Sequence, residues 1–419
     1  MRTVLSGFVL VSAAIAWSPP AHALQPLDDF LRGARAHNPV NEEARAEHAA
    51  ADAQAGEALG RALPAISASG TYTRNEREVV LGGAPFVPLN QVDGAVALTV
   101  PLLDLTRFVR VSAARRLAAS AAFHEQEVTR AADAETVQLY FQLAADLGLV
   151  RAARRALEVE QVNLTMTEQT ARAGTATALD VQRASAEVER QRQQVTSAEL
   201  AVQLTARALA SRTRVVPDTS GEPPLGDDLH AEPPLWEFLA NTPLTPSVKA
   251  AALAREAANR TATAQTLTLV PALTATASER YTNATALLGG YHEAYAAALS
   301  AVWVLDLGTS QGIRARRADA VAAEAREREA QLLTGDAIFQ AWSTIDADIA
   351  RSRSARAQEA VSAHAAEIAR ARYRSGVATQ LDMIQADRDA FAAEAGRIQS
   401  DADLLNARLQ LRLVAGKAR

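Results

Sequence analysis

ARYRSGVATQLDMIQADRDAF, residues 371–391, has a near twin in ARAGTATALDVQRASAEVE, residues 171–189. Setting Gly174 against Gly376 pairs Arg172 with Arg374, Thr177 with Thr379, Leu179 with Leu381, Asp180 with Asp382 and Glu187 with Asp389, all 202 residues apart and without a gap. Gly174 and Gly376 suit the left-handed position just past a helix end, and Arg172 and Arg374 fall in the preceding last turn, where a cation complements the helix dipole. Thr177 and Thr379 then read as N-caps, with Asp180 and Asp382 three residues on completing a capping box. Each copy is a tight turn between two antiparallel helices. Alone, such a turn fits any helical bundle, so its surroundings decide the fold.

The duplication extends over nearly the whole chain. Asn38-Pro39 answers Thr245-Pro246, Leu63-Pro64-Ala65 answers Val270-Pro271-Ala272 and Gly82-Gly83 answers Gly289-Gly290, each at an offset of 207. PLLDL (101–105) answers WVLDL (303–307) at 202. Residues 28–62 and 235–269 are alanine-rich with a helical period. After Pro64 and Pro271 the pattern switches to alternation, AISASGTYT and ALTATASERY, and a second alternating run follows each Gly-Gly pair. Two β-hairpins are expected, with the Gly-Gly pairs in their loops. Asp104 and Asp306 read as N-caps opening long helices. The order is helix, hairpin, helix, turn, helix, twice.

From Asp104 to Gly174 and from Asp306 to Gly376 the chain runs 70 residues each time. A continuous helix of that length extends about 105 Å. The stretch VPDTSGEPPLGDDLHAEPPL, residues 216–235, is the one Pro/Gly/Asp-rich interval and reads as an equatorial linker. The expected organisation is therefore a signal peptide (1–23), a first repeat (24–215, hairpin 64–104, tip near 174–180), the linker (216–235) and a second repeat (236–419, hairpin 271–306, tip near 376–382).

The signal peptide is read from Arg2, the apolar run Val4 to Trp17 and Ala21-His22-Ala23 as a small-x-small cleavage site. That run is too short for a membrane anchor, which needs about 20 apolar residues. With no cysteine in the chain, disulfides, thiolate metal sites and an acylated N-terminal Cys are excluded. The sequence is 48% hydrophobic but only 5% aromatic, the balance being largely alanine. Long helices at close range suit this better than a thick core. The net charge of −5 argues against a nucleic-acid partner. The strands alternate small, polar and apolar residues as a β-barrel wall does, with Tyr72, Phe86, Tyr281, Tyr291, Tyr295 and Trp303 as candidate interfacial aromatics. Four strands cannot close a barrel, so the chain is expected to oligomerise.

The tandem halves, the hairpins after Leu63-Pro64 and Val270-Pro271, WVLDLG at 303–308 and the R-x-G-x-x-T-x-L-D turns at 172–180 and 374–382 together resemble the TolC family of outer-membrane efflux proteins, over essentially the whole mature chain. The resemblance implies an α+β fold in which long α-helical hairpins build a periplasmic α-barrel and each chain adds four strands to a trimeric transmembrane β-barrel. It implies an outer-membrane channel extending into the periplasm, the exit duct of a tripartite efflux or type I secretion system. The implied partners are two further copies of the chain, a periplasmic membrane-fusion adaptor, an inner-membrane pump of RND, ABC or MFS type, and outer-membrane lipid. Arg172, Gly174, Thr177, Leu179, Arg374, Gly376, Thr379 and Leu381 would present the adaptor-docking tip, and Asp180, Asp382 and Gln385 would lie at the gate. Relatives often carry a further acidic residue where this chain has Gln385, implying a less dense acidic ring here.

Enzyme readings find no support. The seven histidines never fall at i, i+3 or i+4 of one another, and no Walker A loop, G-x-S-x-G elbow or thiol is present. No catalytic residue, metal site or cofactor is expected. The nearer rival is a periplasmic coiled-coil adaptor or structural protein of an export machine, which would not need four membrane-type strands or a full duplication.

Overall fold

The computed structural model describes residues 24–221, 225–303 and 306–416. The expected signal peptide and Val304-Leu305 of the expected last strand lie outside the described residues. The first half forms α1 (Leu27–His37), α2 (Pro39–Gly60), β1 (Ala65–Arg74), β2 (Val79–Leu81), β3 (Ala84–Val87), β4 (Asn90–Leu103), α3 (Leu105–Arg172) and α4 (Ala178–Thr213). The second half forms α5 (Leu235–Leu239), α6 (Pro246–Thr266), β5 (Ala272–Thr282), β6 (Glu293–Val302), α7 (Leu307–Arg374) and α8 (Gln380–Val414).

Local chemistry explains most of these boundaries. Asp104 accepts a hydrogen bond from the Arg107 backbone N–H at 3.0 Å, and Asp306 accepts from that of Thr309 at 2.5 Å, so both cap the 68-residue helices α3 and α7. The stretch 28–62, read from sequence as one helical run, is two helices. Pro39 has no N–H to continue α1, while its fixed φ suits the first turn of a new helix. Asn38 caps that helix by accepting from Val40 N at 3.1 Å. In the second half α5 and a single 3-10 turn (Thr242–Leu244) precede Pro246, which opens α6.

Packing divides the chain differently from the repeat. One compact unit takes residues up to 33, 136–230 and 348–406, and the other takes 34–135, 231–347 and 407 onward, so each draws on both halves.

The second of these units holds an antiparallel sheet in the order β1-β4-β5-β6. The β4–β5 pairing joins the two repeats, with Leu98 opposite Ala277. The registers Ile66↔Leu98↔Ala277↔Ala297 and Gly70↔Gly94↔Tyr281↔Glu293 put Ile66, Tyr72, Val96, Leu98, Tyr281, Tyr295 and Leu299 on one face. Ile66, Leu299 and Tyr295 there are 76%, 67% and 90% exposed. The opposite face carries Ser67, Ser69, Thr71, Thr99, Thr274, Thr276 and Ser278, plus an ion pair between Asp93 and Arg280 at 2.7 Å. One face is thus mainly apolar, with Glu279 and Glu293 also on it, the other is polar, and the mainly apolar face is uncovered. Its outer edges are β1 and β6. The first hairpin is prolonged by the ribbon β2–β3, whose turn is Gly82-Gly83 with φ of +59° and +82°. In the second, Gly289 and Gly290 follow a 3-10 turn at Ala286–Leu288. Trp303 donates from Nε1 to the Leu269 carbonyl at 2.9 Å.

The other unit contains segments of α3, α4, α7 and α8 and buries large side chains, Phe30, Leu143, Leu209, Met383 and Leu404, beside small ones. Ala145, Ala152, Ile398 and Ala402 form a buried cluster with Leu149 and Phe391 against it. A Cβ at Gly148 would stand 2.9 Å from Ile398 Cγ2, a measure of how closely α3 and α8 approach. Phe30 of α1 meets Tyr140 with ring centroids 5.7 Å apart. No helix among the described residues is long and apolar enough to cross a membrane.

Candidate functional site

The two helical turns are built almost identically, and both lie in the unit just described. At the end of α3, Thr175 N donates to Thr170 O and Gly174 N to Ala171 O, both at 3.0 Å, with Gly174 at φ +80°. At the end of α7, Val377 N donates to Arg372 O and Gly376 N to Tyr373 O, both at 2.9 Å, with Gly376 at φ +73°. Both closures use a left-handed residue that glycine adopts without penalty.

The restarts also match. Thr177 N donates to Asp180 Oδ2 at 2.9 Å and Asp180 N to Thr177 Oγ1 at 3.3 Å. Thr379 N donates to Asp382 Oδ2 at 2.9 Å and Asp382 N to Thr379 Oγ1 at 3.2 Å. Each Thr hydroxyl also donates to its Asp at 2.7 Å. Hydrogen bonds from the threonine side chain and backbone therefore hold Asp180 and Asp382 below the usual carboxylate range. Both stay anionic at neutral pH.

Arg172, Gly174, Thr177, Leu179, Arg374, Gly376, Thr379, Leu381, Asp382 and Gln385 are exposed and Asp180 is half-buried. Leu179 and Leu381 are each 57% exposed, an apolar pair that the fold leaves uncovered. Arg172 lies 3.7 Å from Glu168, and Gln385 donates to Asp389 at 3.0 Å.

Sequence reasoning missed the residues that bind the turns together. Gln380, buried at 3% exposure, donates from Nε2 to the Asp180 carbonyl at 2.6 Å, so the first residue of α8 is tied to the first turn of α4. The first repeat has Ala178 in its place, and that break in the repeat was the available signal. Glu187 and Asp389, matched in sequence, have different roles. Glu187 is buried and accepts from Arg388 at 2.6 Å and from Arg190, whereas Asp389 is exposed. Burial opposes the Glu187 charge, but the two guanidiniums outweigh it and hold its pKa below the ordinary value. Asn163 of α3 bridges to Asp387 of α8 at 2.9 Å. Helical spacing also overlooked Asp227, Asp228 and His230 of the linker, whose ligand-type atoms fall within 4.8 Å of one another. Asp228 there already accepts from His230 Nδ1.

The profile of the family described as "Outer membrane efflux protein" matches residues 31–213 and 243–417. No curated protein matches the sequence. Among solved structures, the chain is similar to the outer-membrane channel OprN, with 22% identity, 94% of this chain and 90% of that one covered, and a TM-score of 0.77. It is similar also to the Campylobacter jejuni CmeC outer membrane channel (16% identity, 99% and 93% covered, TM-score 0.81). A third is the open state of the Neisseria gonorrhoeae MtrE outer membrane channel (18% identity, 94% and 89% covered, TM-score 0.76). At these identities the likeness establishes the fold: long helical hairpins with four strands contributed to a β-barrel.

Proposed function

The chain belongs to the outer membrane efflux protein family, and from that premise we propose that it works as a homotrimer whose two turns per chain receive a periplasmic adaptor. An efflux protein of this family is an exit duct of the outer membrane reaching into the periplasm, in a transport rather than an enzyme family. The observation that carries the reading is the sheet. Its four strands have one exposed, mainly apolar face that also carries Glu279 and Glu293, one polar face and open edges at β1 and β6. Strands meet lipid only in a closed barrel, since no water there satisfies an unpaired backbone edge. Three chains supply twelve strands, within the range of such barrels, with the apolar face outward and the Ser/Thr face lining the lumen.

The docking assignment follows from the turns. Each turn exposes one leucine, Leu179 or Leu381, with an exposed arginine, Arg172 or Arg374, earlier in the same turn and an aspartate directly after the leucine. A helical hairpin from an adaptor, offering apolar and acidic side chains, is the partner this chemistry fits. Asp180, Asp382 and Gln385 supply the polar lining of the entrance, and residues 1–23 serve as the export signal. The adaptor hands over cargo from an inner-membrane pump.

Two measurements test this reading. In detergent, light scattering is expected to give a trimer with no folded monomer, because a monomer leaves two strand edges open. A stable, folded monomer would sink it. In intact cells, a Gly83→Cys variant is expected to react with an impermeant thiol reagent added outside, and Ala176→Cys is not. The reverse pattern would invert the topology.

A further inference from the structure

Three carboxylates from three helices meet inside the unit that carries the turns. Glu160 of α3 and Glu187 of α4 are each 2% exposed, and the Asp387 side chain of α8 is 7% exposed. The guanidiniums around them are shared unequally. Arg190 and Arg388 both bind Glu187, and Arg370 of α7 lies 3.3 Å from Asp387. Among the described residues, Glu160 receives a single hydrogen bond, 3.3 Å from Asn163 Nδ2, and that same nitrogen donates to Asp387 at 2.9 Å. Two guanidiniums thus serve Glu187, one lies against Asp387 and none bonds Glu160.

Every helix packed here contributes charge. A cavity of about 220 Å³ is lined by Arg155 and Glu160 of α3, Gln191 of α4, Glu359 and Arg370 of α7, and Asp387 and Glu394 of α8. Arg155 is engaged by Glu394, and Glu359 by Arg397 at 2.8 Å. Gln191 is 1% exposed, and its Oε1 has no hydrogen-bond partner. An ionised Glu160, 2% exposed, would face Glu187 and Asp387, and its burial penalises the charge. A neutral carboxyl removes that repulsion, and the cavity it lines also holds the unpartnered Gln191 Oε1.

We propose that Glu160 is a proton-binding site whose proton keeps the α3, α4 and α8 segments of this unit tightly packed. Consistent with that geometry, burial pushes the Glu160 carboxyl up to about 7, with Asp387 and Glu187 adding to the rise and Asn163 and Arg190 opposing it. Burial also raises Asp387, against Arg370 and Asn163. The sign follows from linkage. A carboxyl raised in the folded state gives stability that is full below its ordinary value of 4.5, is lost as pH climbs through about 7, and changes little above. Proton release loosens the junction just where the first and second hairpins are bonded to each other.

Hydrogen exchange of the whole trimer, without adaptor, tests the site separately from the docking assignment. After correction for intrinsic exchange rates, protection across residues 380–394 is expected to fall about tenfold between about pH 6 and about pH 8. In Glu160→Gln the change shrinks below about twofold, with protection at the higher pH like that of the acid-state wild type. Asp387→Asn keeps a pH dependence, with its midpoint shifted downward because the Asp387 charge no longer adds to the Glu160 rise. Infrared spectra of the wild type are expected to show a protonated carboxyl band at about pH 6 that Glu160→Gln lacks. Unchanged wild-type protection, a dependence that survives in Glu160→Gln, its loss in Asp387→Asn alone, or no protonated carboxyl band would each overturn the proposal.

Discussion

Gly376→Val is expected to leave a normally inserted trimer that no longer exports. Gly376 sits at φ +73°, and an added Cβ there would meet nothing within 4 Å, so the substitution is penalised by backbone conformation alone. For a β-branched residue the penalty is about 1–2 kcal/mol. The 68 residues of α7 and the 35 of α8 are held elsewhere by packing, so a loss of that size reshapes the turn without unfolding the helices. What changes is the position of Leu381, Arg374 and Thr379 on the proposed docking surface. Gly174→Val, at φ +80°, acts alike but more weakly if the second turn dominates gating. Arg374→Glu weakens adaptor binding in a salt-dependent manner, since an exposed charge is screened. Trimer yield, adaptor crosslinking and export are measured together. Normal export by a trimeric Gly376→Val would reduce the turn to a helix cap.

Gly33→Ala is expected to destabilise the trimer, whereas Gly56→Ala stabilises it slightly. A Cβ at Gly33 would lie 2.4 Å from the Thr213 carbonyl oxygen and 3.0 Å from Val215 Cγ2. The carbonyl belongs to the end of α4 and cannot swing aside as a side chain can, so α1 must move away from it. Overpacking of this kind costs about 3 kcal/mol, the upper end of the usual range. At Gly56, in an exposed part of α2, an added Cβ meets nothing within 4 Å. There alanine removes the conformational entropy of glycine and contributes about 0.5–1 kcal/mol. Thermal melting of the detergent-solubilised trimers and hydrogen exchange across α1 check both. Equal melting of Gly33→Ala and wild type would show that α1 does not pack against α4 as described.

Much of the fold and part of the site are legible in the residues themselves. The hairpin, helix, turn, helix order of each half, the caps at Asp104 and Asp306 and both turns were readable, the caps and turns because they depend on contacts within three to six residues of chain. A left-handed glycine, a threonine cap and an aspartate three positions on carry their geometry with them. The repeat showed that this geometry occurs twice. The expected helix 28–62 failed at Asn38-Pro39 because a helical period continues on both sides of a break.

The amino-acid sequence by itself determined two hairpins of strands, two pairs of long helices and two turns with the same caps. Tertiary structure alone decided that β4 pairs with β5 across the repeat boundary, that Gln380 bonds the Asp180 carbonyl, and that Glu187 collects two guanidiniums while Glu160 has none. Duplicated sequence specifies duplicated local structure, but each copy then packs against the other. A residue and its sequence equivalent face different neighbours, so Glu187 is buried and Asp389 is in water. Burial, charge pairing and protonation follow the neighbours, and those are set by which helix faces meet across some 200 residues of chain, as Arg388 and Glu187 do.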